Sequence, residues 1–461
     1  VITISTQAVT PQAVGLEEGI ALEQAYAEYA PFFQERVQQL FATADEAGGW
    51  KRWLLLGDKP ELADAIEAYA QKVRGRYTDM VVLGIGGSSL GGYALLKALL
   101  HPYWNQLADR GGLPRFHFVE NVDSDQMVGL GDVLPLETTL FLVISKSGTT
   151  AETMSAFLYF KDAVEAKVGA DKAAEHFVAI TDANKGILRD MADAYGYPTF
   201  EVPDDVGGRF SVFSAVGLLP AALCGVDIRA LQQGIRTMVA QCQNPDIHQN
   251  PAAQLALIHF LMAQRGKNVA VFMPYSVRLA FVSDWFVQLW AESLGKKHDR
   301  NGQVVHVGQT PVRAVGVTDQ HSQVQLYNEG PFDKIITFVR VDNPDHAVTI
   351  PHPRNADALA YLGGKTFNQL LLAELESTQA SLIRNRRPFV EIRLPQIDAE
   401  HFAQLLTLLE IQTALAGELL NIDPFDQPGV ELAKQYTYAL MGRKGFEHLA
   451  AEARGEGAAA V

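Results

Sequence analysis

Short apolar runs that each end in glycine or small hydroxyl residues, and then pass into a helical stretch, limit what this chain can fold into. DMVVLGIGGSS, RFHFVENVD, TLFLVISKSGTT, EHFVAITDANKG and YPTFEVPDD follow one another between residues 79 and 205. Runs this apolar suit strands buried on both faces, and the helical spacing between them supplies the crossovers that a parallel sheet needs. A second series follows the polar stretch QCQNPDIHQNP: KNVAVFMPYS, RAVGVTDQHS, KIITFVRVD and RPFVEIRLP, with helical segments such as TFNQLLLAELESTQASLI between them. The pattern predicts an α/β protein with two parallel-sheet units. Residues 1–75 read as a helical lead-in, 76–240 as the first α/β domain, 241–425 as the second, and 426–461 as a C-terminal helix with a small-residue tail, EARGEGAAAV, expected to fray.

A chain of 461 residues with 48% hydrophobic and 20% charged residues can bury a large core. Its formal net charge of −15 argues against a nucleic-acid or anionic-membrane surface, but permits a local basic pocket for an anionic metabolite. The two cysteines, Cys224 and Cys242, form no CxxC pair and read as buried free thiols. No apolar stretch is long enough to span a bilayer, and VITISTQAV lacks the basic start of a secretory signal. Together these features predict a cytoplasmic protein.

Two strand ends suit a phosphate. VVLGIGGSSLGGYALL runs from a buried strand through a Gly-rich turn into a helix, aiming backbone N–H groups at an anion. Nucleotide binding is disfavoured: no lysine follows Gly91 as a Walker A loop requires, and the dinucleotide spacing needs glycine where Ser89 stands. FLVISKSGTTAET offers the hydroxyls of Ser145, Ser147, Thr149 and Thr150 beside Lys146. The same residues can serve only as helix caps, and Gly-rich turns also serve tight packing.

A separate set of residues suits proton chemistry. In LWAESLGKK, helical spacing of about 100° per residue puts Glu292 on one stripe with Phe281, Trp285, Gln288 and Leu289. A carboxylate on that apolar face either pairs with a cation or has its pKa raised, as a proton-transfer base requires. VGGRFSVFSAVG holds Arg209 at a backbone corner, where a guanidinium can stabilise an oxyanion or simply pair with Asp204 or Asp205. TDQHSQVQL places His321 in a polar loop after a short strand, either as a proton relay or as an ordinary surface histidine. In DPFDQPGVELAKQY, Asp426 is positioned to cap a helix that carries Lys434. HExxH, DxDxDG and clustered histidines are absent, so metal-free chemistry with no cofactor is expected.

Taken in order, GIGGSSLG, SKSGTT, VGGRFSVFSAVG, QLWAESLGK, TDQHSQVQL and FDQPGVELAK resemble the glucose-6-phosphate isomerase (phosphoglucose isomerase) family of bacterial type, from about Val81 to Met441. The resemblance implies two sugar isomerase (SIS) type domains, a homodimer, and reversible conversion of glucose 6-phosphate to fructose 6-phosphate in glycolysis and gluconeogenesis. By motif, Ser145, Lys146 (through its backbone), Ser147, Thr149 and Thr150 would hold the phosphate, with Gly87 and Ser88 close by. Glu292 would move the proton between C2 and C1, and Arg209 would steady the cis-enediolate. His321 from the neighbouring subunit and Lys434 would assist ring opening, while Gln288 and Gln427 would contact the sugar. Gly148 and Pro428 stand where animal members carry bulkier residues. A dual-specificity isomerase that also accepts mannose 6-phosphate is the nearest rival. A non-catalytic SIS sensing module would keep the hydroxyl array without needing Glu292, His321 or Lys434.

Overall fold

Sheet order explains where a ligand can sit. The computed structural model describes residues 1–456, so the end of the expected tail lies outside the described residues. Chain order gives strands β1 (Thr3–Ser5), β2 (Asp79–Leu83), β3 (Arg115–Val119), β4 (Thr139–Ile144), β5 (Phe177–Thr181), β6 (Thr199–Glu201), β7 (Val269–Pro274), β8 (Lys296–His298), β9 (Val304–Val307), β10 (Thr310–Arg313), β11 (Lys334–Val341) and β12 (Phe389–Leu394). The first sheet runs β3-β2-β4-β5-β6, and all its strand pairs are parallel. The chain leaves β2 toward one side and β4 toward the other. A crevice therefore opens at their carboxyl ends, where GIGGSS and SKSGTT lie.

The second sheet runs β1-β12-β11-β7-β10, parallel except for β1, which pairs antiparallel with β12. The helical reading of the N-terminal segment thus fails for its first residues. Three residues, TIS, are too short to show a period, and it is the unpaired edge of β12 that makes them a strand. The strand expected in RAVGV is also displaced: β10 is TPVR, ending at Arg313, and its Pro311 is tolerated because β10 is an edge strand.

Between the sheets lies the helix Ala399–Leu419, buried from Phe402 to Gly417. It packs against the helices Ile228–Cys242, Pro251–Gln264 and Ala280–Leu294. A helix buried along this length belongs in a core even though it carries Gln404, Glu410 and Gln412, and it is the shared wall between the two units. The Ala280–Leu294 helix is the β7-to-β10 crossover and also touches the Leu90–Leu99 helix of the first unit. Glu292 sits in its last turn.

Candidate active site

Two turns of the first unit meet at a backbone contact. A side chain at Gly87 would run into the Gly208 carbonyl, so the GIGGS and GGRFS turns lie back to back only because this position is glycine. That contact delivers Arg209 to the cleft. The guanidinium is 2% exposed, and each of its N–H groups has an acceptor. Nε donates to Ser293 Oγ at 2.7 Å, and Nη1 donates to Gln427 Oε1 and to Glu292 Oε2, the latter at 3.5 Å. Nη2 donates to the carbonyls of Pro424 at 2.6 Å and Asp426 at 3.0 Å. Burial pushes the arginine's pKa down from its ordinary value, and Glu292, Asp426 and Asp423 oppose that shift. The pairing with Asp204 or Asp205 raised by sequence does not form; Asp205 instead accepts from Gly48 N at 3.0 Å and pairs with Arg52.

Glu292 departs from the apolar setting its stripe suggested. Trp285 and Leu289 are buried as expected, but the Glu292 side chain is 34% exposed. Its oxygens face Arg209 and the Gln288 amide, which donates to Oε1 at 3.2 Å. A stripe computed within one helix cannot register a guanidinium arriving from 83 positions away. Gln288 Oε1 is buried and has no partner among the described residues.

At the other end, the SKSGTT loop precedes the helix Ala151–Val168, whose N-terminus favours an anion. Ser145 Oγ and Thr150 Oγ1 lie 3.1 Å apart, as do Ser147 Oγ and Thr149 Oγ1 at 2.9 Å. Thr150 occupies the N-cap position, yet its side chain makes no capping bond, so the capping alternative does not account for its hydroxyl. Gly148, at φ +64°, supplies the left-handed turn. The Lys146 ammonium turns away from these hydroxyls. It donates to the carbonyls of Pro203 (3.0 Å), Asp204 and Val206 (3.5 Å), and lies 4.8 Å from the centre of the Trp50 ring. What the loop can offer a ligand from Lys146 is therefore its backbone.

Ser88, Ser145, Lys146, Ser147, Thr150 and Gln427 line one cleft of about 970 Å³. An adjoining cavity of about 430 Å³ is lined by Ser147, Thr149, Thr150 and Lys434. Lys434 pairs with Glu431 at 2.7 Å, and both are half exposed. Asp426 does not cap that helix, whose N-cap is Val430; its carbonyl instead accepts from Arg209 and Lys296. His321 is the one expected residue the fold leaves apart. It is exposed, in the first turn of the helix Gln320–Glu329 rather than in a loop, and hydrogen-bonds to none of the others. Sequence reasoning passed over Ser293 and Lys296, which hold Arg209 and the end of the Glu292 helix; a lysine after a helix usually reads as a solvated partner of the dipole.

The fold thus brings together two parallel-sheet units, a hydroxyl loop at a sheet crevice and a carboxylate–guanidinium pair between the units. The family described as Phosphoglucose isomerase matches residues 61–449. A protein named Glucose-6-phosphate isomerase from Carboxydothermus hydrogenoformans is 47% identical over 391 residues, covering 84% of this chain and 83% of its own length. One of the same name from Thermus thermophilus is 38% identical, covering 90% and 95%. Among solved structures, a hypothetical protein from Thermus thermophilus superposes with a TM-score of 0.85 at 36% identity, over 96% of this chain and 100% of that one. A glucose-6-phosphate isomerase from Chlamydia trachomatis shares the fold, with a TM-score of 0.81 at 23% identity over 98% and 90% of the two chains. The chain belongs to the phosphoglucose isomerase family.

Proposed function

We propose that the protein interconverts glucose 6-phosphate and fructose 6-phosphate, with Glu292 moving the proton and Arg209 holding the charge. The observation that carries this reading is the fully bonded Arg209 guanidinium 3.5 Å from the Glu292 carboxylate, joined through Gln427 to the cleft that the hydroxyl loop lines. Glu292 takes the proton from C2 of the open-chain aldose. The C–H electron pair becomes the C1–C2 double bond, and the carbonyl oxygen takes up negative charge as a cis-enediolate. Arg209 stabilises that charge with donors already oriented, and Glu292 returns the proton to C1. Protonation of the oxygen at C1 and release of the proton at the C2 hydroxyl complete the ketose.

Gly87, Ser88, Ser145, the Lys146 backbone, Ser147, Thr149 and Thr150 receive the phosphate. The unpaired Gln288 Oε1 accepts from a sugar hydroxyl, and Gln427 contacts the sugar from beside Arg209. Lys434 assists ring opening with a His321 supplied by a second subunit of a homodimer. The exposed position of His321, which hydrogen-bonds to none of its own chain's cleft residues, supports that exchange. Among the described residues no helix is long and apolar enough to cross a membrane, and we place the reaction in the cytoplasm.

A coupled assay comparing glucose, mannose and glucosamine 6-phosphates, with and without EDTA, tests the reading. Turnover of glucose 6-phosphate undiminished by EDTA is expected. Activity lost to EDTA and restored by one divalent metal, or preference for mannose 6-phosphate, would overturn it.

A further inference from the structure

Lys296 is a buried cation that no step of the reaction uses. It lies four residues beyond Glu292, and its side chain is only 6% exposed. Nζ donates to the carbonyls of Glu292 at 2.8 Å and Ser293 at 3.0 Å, closing the last turn of the helix that carries Glu292. The same ammonium donates to the Asp426 carbonyl at 3.0 Å and pairs with the Asp426 carboxylate at 3.3 Å. That carbonyl also accepts from Arg209 Nη2, and the following residue, Gln427, accepts from Arg209 Nη1. Ser293, whose carbonyl Lys296 holds, accepts from Arg209 Nε through its hydroxyl.

We infer that Lys296 is a positioning residue for the isomerisation, fixing the separation of Glu292 and Arg209 by clamping the Glu292 helix end to the Asp426–Gln427 loop. Three carbonyls and a carboxylate converge on one ammonium, which holds two chain segments 130 positions apart in sequence. A buried ammonium is costly unless so satisfied, which is why the contact is rigid. The helix C-terminus adds its own attraction for the cation. Proton transfer needs carboxylate and oxyanion hole in register, and a displacement of about 1 Å costs on the order of 100-fold in rate. The inference rests on the proposed roles of Glu292 and Arg209.

The test is steady-state kinetics of Lys296→Met and Lys296→Gln beside the wild type, with C2 proton exchange into deuterated water measured alongside product formation. The wild-type assay reports on the proposed activity by itself, so its failure is separable from failure of the inference. Expected for a folded variant is a kcat lower by roughly 10- to 100-fold with KM little changed. Exchange per product formed should rise, because a displaced carboxylate loses the proton to solvent before returning it. Lys296→Arg, which keeps the charge and donors, should recover part of the loss. A folded Met or Gln variant with wild-type kcat, a loss confined to KM, or an unchanged exchange ratio would overturn the inference. So would a chain that folds only with lysine at this position, since the role would then be purely structural.

Discussion

The two ends of the site are built differently. At the Arg209 end the guanidinium is buried, all its donors are used, and its partners come from two separate segments of the chain, the end of the Glu292 helix and the loop 424–427. At the outer end the hydroxyls of Ser145, Ser147, Thr149 and Thr150 pair with one another, Lys434 pairs with an exposed Glu431, and His321 stands apart. Stabilising a charge that exists only in the transition state requires dipoles fixed in advance, and a core can fix them. A phosphate arrives with its own charge and can recruit hydroxyls that exchange one partner for another. A single chain thus orders the groups proposed to meet the enediolate, while the groups proposed for ring opening sit on exposed surfaces.

Arg209→Lys should have the largest effect. A point charge cannot replace the planar fork, so kcat should fall by about 100- to 1000-fold in the coupled assay. It also leaves buried carbonyls without donors, and thermal unfolding should shift downward. Crossing subunits sharpens the outer end: His321→Ala mixed and refolded with Glu292→Gln should recover activity that neither variant has alone. Absence of recovery would place His321 outside the partner's site. Thr150→Ala should raise KM by roughly 10-fold with kcat nearly kept, as expected for one hydrogen bond to a charged group. The smallest effect concerns the shared wall. Glu410 is buried in the Ala399–Leu419 helix, and burial pushes its pKa well above the usual carboxyl range. The folded state therefore binds this proton more tightly than the unfolded chain. Its stabilising contribution is full below the ordinary carboxyl pKa and is lost as pH rises toward the raised value. Glu410→Gln should flatten that decline in melting curves taken at about pH 5 and pH 8.

Much of this arrangement is legible along the chain, because strand rhythm, Gly-rich turns and hydroxyl clusters are local signals. GIGGSS and SKSGTT sit at strand ends because a parallel sheet puts its loops there. What the sequence conceals is long-range pairing. The apolar stripe around Glu292 is real, yet the carboxylate's neighbour is an arginine 83 positions away. The roles of Lys296 and the Asp426 carbonyl are backbone contacts across 130 positions, and no spacing rule encodes them. Asp426 looks like a cap because its side chain suits one, but the Pro428–Val430 turn moves the helix start beyond its reach. β1 is hidden for the opposite reason: it is set by the edge it joins, not by its own three residues.

Glu292 is proposed to carry the proton between C2 and C1. Exchange of the C2 hydrogen of glucose 6-phosphate with deuterated water, followed by proton NMR for wild type and Glu292→Gln, tests it directly. The wild type is expected to exchange and isomerise, whereas Glu292→Gln should still bind the sugar phosphate but do neither. Isomerisation or exchange by Glu292→Gln near the wild-type rate would contradict it.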